Sequence, residues 1–182
     1  MKVDIYNTEK KYSVIYADPP WHYDAWKNGN GIAENHYNTM KIEEIIEMKD
    51  TIQKISDKNS VLFLWVTFPC LLEGLRTLHE WGFKYKTCGF TWIKRNKVSD
   101  TWFFGLGHWT RANAEICLIA IKGTIKRVSN KVSQIVDTHI EEHSRKPEIV
   151  RDRIVELVGD LPRIELFARK NADGWDCWGN EI

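Results

Sequence analysis

Along the chain, apolar residues gather into short β-branched and aromatic runs that alternate with stretches of helical periodicity. The strand-like runs are Tyr12–Ala17, Val61–Val66, Tyr85–Ile93, Glu115–Ile121 and Arg163–Ala168. Apolar residues three and four apart predict helices over Ile42–Ile55, Cys70–Trp81 and Pro147–Val158. The last carries Pro147 in its first turn and Gly159 just past its end, the usual placement of these two residue types around a helix. Strands alternating with helices imply an α/β domain built around a mostly parallel sheet. Two long segments interrupt the rhythm, His22–Thr39 and Lys94–Asn113. Loops of that length inside a compact domain are usually functional or disordered.

Composition narrows the picture. The 182 residues suit one compact domain over 1–182, without repeats, low-complexity tracts or an interdomain linker. The formal net charge is +1, so no global field points to nucleic acid and any such surface has to be local. Cys70, Cys88, Cys117 and Cys177 are scattered, with no C-x-x-C, and read as reduced core thiols of a cytoplasmic protein. The amino-terminal residues are too polar for a signal peptide, and no apolar stretch has membrane-spanning length. No membrane partner is expected.

The first strand runs straight into Asp18-Pro-Pro-Trp21. Asp-Pro and Pro-Pro are turn punctuation, and an isolated match would be read as a turn. At the carboxyl end of a strand in an open α/β sheet, however, the stretch lies where such sheets bind ligands. An amino group on an aromatic ring is a poor nucleophile, because its lone pair is delocalised. Two rigid acceptors, the Asp18 carboxylate and the Pro19 carbonyl, can each take one N–H and localise that lone pair. Pro20 stiffens the turn. The Trp21 or Tyr23 ring can stack on an extruded base.

Asp18-Pro-Pro-Trp21 resembles the motif of the adenine N-6 methyltransferases, the family that includes the catalytic subunit of the mRNA adenosine methyltransferase. The likeness continues through Tyr37-Asn-Thr-Met40, Leu62–Val66, Trp81-Gly-Phe83, Trp92-Ile-Lys94, Gly107-His-Trp109, Glu115-Ile-Cys117, His143–Pro147, Ile164–Arg169 and Trp178-Gly-Asn180. It implies a Rossmann-type methyltransferase fold with permuted motif order, the catalytic strand early and cofactor contacts returning at the end. It implies S-adenosylmethionine as donor, S-adenosylhomocysteine as product, and no metal. It also implies the site residues. Asp18, Pro19, Pro20 and Trp21 are catalytic. Asp4 and Ile5 grip the cofactor's adenine, at a spacing shorter than the family's. Lys146 meets the cofactor's carboxylate or the substrate, Arg169 and Asn171 meet its ribose, and Asn180 and Glu181 meet the adenosine portion; Asp18 borders the same site. Tyr23, Tyr37, His108, Trp109 and Glu115 lie on the substrate side. No glycine-rich loop follows Phe167, in keeping with this family rather than a generic methyltransferase.

Two other constellations compete. His139-Ile-Glu-Glu-His143 satisfies H-x-x-E-H, which on a helix could hold zinc. Lys94, Arg95, Lys97 and Arg111 are interleaved with Trp102, Phe103, Phe104 and Trp109. That loop suits phosphates and stacked bases, in an enzyme or in a non-catalytic binding module. The aromatic part reads equally as buried core or as a homodimer contact. The resulting expectation is adenine methylation in DNA with a short or relaxed recognition site, in a bacterial or phage-infected cell. RNA is the alternative substrate.

Overall fold

The computed structural model describes residues 1–22, 39–107, 109–141 and 145–182. Its chain order is β1 (Tyr12–Ala17), α1 (Ile42–Glu47), α2 (Lys49–Ile55), β2 (Ser56–Val66), α3 (Leu71–Glu80), β3 (Lys84–Arg95), β4 (Glu115–Lys122), β5 (Ile135–His139), α4 (Ile149–Val158), β6 (Arg163–Leu166) and β7 (Asp176–Trp178). Every expected strand and helix is present, β1 with the expected bounds and the others with shifted ends. The helix expected over Ile42–Ile55 is two, because the chain turns at Met48. The third expected helix starts two residues after Pro147, and Gly159 ends it at φ 90°, a conformation that favours glycine. Phe68–Cys70 forms a 3-10 turn leading into α3. β5 and β7 are additions, short strands whose pairing comes from their neighbours more than from their own composition.

Seven strands form one sheet in the order β5-β3-β4-β2-β1-β6-β7. β1 pairs in parallel with β2 and β6, β6 with β7, and β3 with β5, whereas β4 runs antiparallel to both β2 and β3. Six strands therefore point one way and β4 alone is reversed. The expectation of a mostly parallel sheet holds, and the reversal decides the site: β4 begins where the others end.

Strand alternation sorts the core onto two faces. Ile15, Ala17, Leu62, Leu64, Val66, Leu118 and Leu166 belong to the cluster that includes Ile45, Ile52 and Leu78 of α1, α2 and α3. Val14, Tyr16, Phe63, Trp65 and Cys117 belong to the other, with Val150, Ile154 and Val158 of α4. Helices thus cover both faces, the three-layer arrangement of a Rossmann-type domain. All four cysteines are free thiols. Among the described residues no helix is long and apolar enough to cross a membrane.

Candidate active site

β1 lies between β2 and β6, with Ala17 opposite Leu64 on one side and Leu166 on the other. Asp18, the next residue, emerges at the carboxyl end of the sheet. Its side chain is about one quarter exposed (24%). Trp21 N–H donates to the Pro19 carbonyl at 2.8 Å, a γ-turn centred on Pro20. Met40 N–H donates to the Pro20 carbonyl, also at 2.8 Å. The Pro20 carbonyl is thus used by the fold, while the Pro19 carbonyl keeps one lone pair beyond its turn bond. Trp21 departs from the base-stacking expectation. It is only 6% exposed, and its indole donates to the Trp65 carbonyl at 2.9 Å, so its ring is part of the core beneath the turn.

The structure brings Lys146 and Glu115 to Asp18. The Lys146 ammonium lies 2.9 Å from each Asp18 oxygen and 3.1 Å from Oε2 of Glu115. It is nearly buried and also sits 5.6 Å from the Trp65 ring centroid. Glu115 starts the reversed strand β4, and its Oε1 accepts from the ammonium of Lys94, near the end of β3. The four side chains form a string of alternating charge: Lys94, Glu115, Lys146, Asp18. Burial pushes the Asp18 carboxyl above its ordinary value, and the adjacent Lys146 ammonium counters that rise. Burial would raise Glu115 too, but Lys146 and Lys94 outweigh it and hold that carboxyl down at about 2. Burial alone would lower Lys146; its two carboxylate partners raise it instead. One layer down, Glu165 of β6 takes a two-point ion pair from Arg151 of α4, at 2.6 and 2.9 Å. That pair fixes on the sheet the helix that follows Lys146.

A second group of expected residues gathers at the carboxyl ends of β6 and β7. The amino-terminal segment runs beside β7, with Val3 N–H donating to the Cys177 carbonyl at 2.9 Å. This delivers Asp4 to the rim, where its carboxylate accepts from Tyr6 N–H, while Ile5 is wholly buried and offers no side chain to a ligand. Arg169 lies 3.6 Å from Glu181, and Asn171 and Asn180 are exposed beside them. The aromatic wall at this rim was not foreseen. Phe167 has a φ of 60°, rare for a side-chain-bearing residue and a conformation that concentrates at functional sites. Its ring meets the edge of Trp178 at 5.4 Å, and Tyr6 meets the same indole at 6.0 Å. Gly179 is obligatory here: a Cβ would stand 2.1 Å from the Ala168 carbonyl oxygen.

The basic-aromatic loop needs correction. Lys94 is not a free phosphate contact, because Glu115 takes its charge. Arg95 is likewise spent, its Nε and Nη2 each 2.6 Å from an oxygen of Asp137, with its guanidinium 4.5 Å from the Trp102 ring centroid. Arg111 stacks on Phe104 at 4.9 Å. Trp102 and Phe104 are about half exposed and Trp109 almost fully so (95%), which excludes buried core for these three rings. Tyr23, Tyr37 and His108 lie outside the described residues. So do Glu142 and His143 of the zinc motif. His139 ends a strand rather than riding a helix, and its Nδ1 pairs with the Asn96 carbonyl at 2.7 Å, which removes the helical premise of that motif. Among the described residues no group of three or more His, Cys, Asp or Glu could hold a metal ion.

A cleft of about 660 Å³ opens at the opposite end of the sheet, lined by Lys10, Tyr12, Arg163, Trp175 and Asp176 among others. It is remote from Asp18. Its charged groups are already paired: Lys10 and Tyr12 are both bound to Asp176 at 2.8 Å, and Arg163 pairs with Asp160 at 2.5 Å.

A doubly covered, mostly parallel sheet with an acid after an interior strand, set in a rigid Pro-Pro turn and held by a buried lysine, defines a Rossmann-type methyltransferase. The family profile of MT-A70 matches residues 12–181, and the chain belongs to that family of S-adenosylmethionine-dependent adenine methyltransferases. The chain is similar to the type II methyltransferase M.MunI of a Mycoplasma species, 34% identical over 95% of this chain and 78% of that protein. It is also similar to the Arabidopsis thaliana N(6)-adenosine-methyltransferase MT-A70-like protein, 28% identical over 100% of this chain but 25% of that protein. The human N(6)-adenosine-methyltransferase catalytic subunit METTL3 is 27% identical over 94% of this chain and 28% of its own length. The donor set fits S-adenosylmethionine: carboxylates, amides and a guanidinium suited to ribose hydroxyls and an amino acid lie beside an aromatic wall suited to a flat base.

Proposed function

We propose that the protein methylates the exocyclic N-6 amino group of adenine in DNA, with short or relaxed sequence specificity. The observation that carries this reading is the Asp18 carboxylate, fixed at both oxygens by Lys146 beside the rigid Pro19 carbonyl. Asp18 takes one amino N–H and Pro19 the other, which localises the nitrogen lone pair for attack. Asp18 also lies where it can receive the proton that the nitrogen sheds. S-adenosylmethionine, when bound, supplies an electrophilic methyl group on a sulfonium that withdraws the carbon–sulfur electron pair. Asp4, Phe167, Arg169, Asn171, Asn180 and Glu181 would hold it, and Lys146 keeps the acid oriented toward it.

Support for DNA over RNA comes from similarity. The chain is 34% identical to the Mycoplasma type II methyltransferase and 27–28% identical to the adenosine methyltransferases. With a net charge of +1, nucleic acid has to be met by a local patch, and Arg111 with the exposed Trp109 supplies one. Affinity then falls with added salt as a few phosphate contacts are lost. A soluble cytoplasmic location belongs to the same reading. A homodimer through the loop of residues 94–111 is the competing reading of its exposed Trp102, Phe104 and Trp109.

The test is methyl transfer from labelled S-adenosylmethionine to equal masses of unmodified DNA and RNA, followed by nucleoside analysis. N-6-methyl-deoxyadenosine as the main product is expected. A clear preference for RNA overturns the substrate and keeps the chemistry; methylation of neither overturns both.

A further inference from the structure

We propose that Lys94 is a positioning residue for methyl transfer: by holding Glu115 it leaves Lys146 free to fix the Asp18 carboxylate. The inference rests on the reading of Asp18 as the acid that grips the amino group. It replaces the role that the residue pattern suggests for Lys94, a contact to phosphate.

Three observations carry it. First, Lys94 is not an ordinary surface lysine. Its side chain is mostly buried, its ammonium is bound to Glu115 Oε1, and the Trp92 ring lies 4.9 Å away. Second, its backbone is clamped. Its N–H donates to Asn113 Oδ1 at 2.9 Å, and its carbonyl accepts from Asn113 Nδ2 and from Phe103 N–H, each at 2.9 Å. The root of the long loop is therefore tied at the point that aims Lys94 inward. Third, the two oxygens of Glu115 are divided, one to Lys94 and one to Lys146 at 3.1 Å, while Lys146 also reaches both oxygens of Asp18 at 2.9 Å.

The consequence follows from charge sharing among poorly solvated groups. With Lys94 present, Glu115 has two counter-ions and makes half a claim on Lys146. Without Lys94, Lys146 is the only counter-ion left in the string for Glu115. It is drawn toward β4, and its grip on Asp18 loosens. The charged or titratable groups that act on Asp18 are Lys146, Glu115 and Arg169, with Tyr16, Cys117 and Glu165 beneath. Of these, Lys146 is the main one that opposes the burial of the acid. Weakening it raises the acid's pKa further, so a higher pH is needed to ionise it. The acidic limb of the rate profile then moves to higher pH.

The experiment compares wild type, Lys94→Met, Lys94→Arg and Asn113→Ala on a short DNA oligonucleotide carrying a single adenine. It records kcat, KM, the pH profile of kcat and the salt dependence of KM. For Lys94→Met we expect kcat to fall on the order of ten- to a hundred-fold, as small misplacements of reacting groups do. Its acidic limb should lie at higher pH, with KM and its salt slope unchanged, and Lys94→Arg should restore most of the loss. Asn113→Ala removes no charge and should shift the same limb by less. It also serves as the test should Lys94→Met fail to fold. A raised KM with a shallower salt slope and an unmoved pH profile overturns the proposal and returns Lys94 to phosphate binding. Loss of kcat with an unmoved profile in Lys94→Met and Asn113→Ala also overturns it, since a merely structural role predicts that result. Absence of N-6-methyladenine in the wild-type reaction is a separate outcome, read before any variant, and overturns the reading of Asp18 itself.

Discussion

The two ends of the sheet both hold charged side chains and tryptophans, yet they differ in what those charges are bound to. At the amino end, beside the 660 Å³ cleft, Asp176 gathers Lys10 and Tyr12, and Arg163 pairs with the exposed Asp160. These are local pairs at a partly exposed rim, of the kind that fastens a chain end and contributes little else. At the carboxyl end, four side chains that are all mostly buried share charge in series, and the last of them, Asp18, still faces the opening of the turn. A cleft and a set of ion pairs do not by themselves mark the functional end. Coupling of buried charges favours the right one, because poorly solvated charge that retains free acceptor capacity is costly to keep and is retained where chemistry uses it.

The comparison breaks most sharply at Asp18. Asp18→Ala should lower turnover about a hundred- to a thousand-fold, the usual cost of one preorganised electrostatic contact, with the fold retained because Lys146 keeps Glu115 as a counter-ion. Activity within a few-fold of wild type would erase the distinction between the two ends. Next, Glu115→Gln tests the string through stability. The folded carboxyl titrates at about 2 against an ordinary 4.5, so its contribution is present above about pH 4.5 and lost as pH falls toward 2. Chemical denaturation should show the variant clearly weaker than wild type at pH 7, with the gap closing in acid. A gap independent of pH would mean that the charge is not what stabilises. At the cofactor rim, Asn180→Ala should weaken S-adenosylmethionine binding about tenfold, the worth of one good hydrogen bond, by calorimetric titration. Equal affinity would remove Asn180 from that role. The smallest effect belongs to the amino end. Asp176→Asn should cost about 1 kcal/mol of stability while leaving kcat and KM intact. A loss of turnover there would show that the two ends are coupled.

Much of this was legible without coordinates. Strand β1 and the Asp18-Pro-Pro-Trp21 turn are local: an apolar run with alternating faces and two residues of fixed φ need no distant partner to be read. The three helical stretches announce themselves by period, and Gly159 by its place after the last one. The residues that are hard to read are those whose meaning depends on distant neighbours. β7 is three residues long and exists because β6 pairs with it on one side and Lys2 bridges to Cys177 on the other. Lys94 and Glu115 are 21 positions apart, and Lys146 and Asp18 are 128 apart. No spacing rule links such pairs.

What the sequence determined by itself, then, is five of the seven strands, the three helical stretches, the turn that carries the acid and the membership of the MT-A70 family. Each of these is written in local patterns or in the order of short motifs. What only the tertiary structure decided is the allocation of charge. The reversal of β4 brings Glu115 to the end where β1 and β3 finish. It thereby turns Lys94 from an apparent phosphate ligand into a partner of Glu115, while packing on β2 leaves Trp21 beneath the turn rather than over a base. Charge and ring placement depend on which groups share a poorly solvated space, and that is fixed by strand direction and packing rather than by neighbours in the chain.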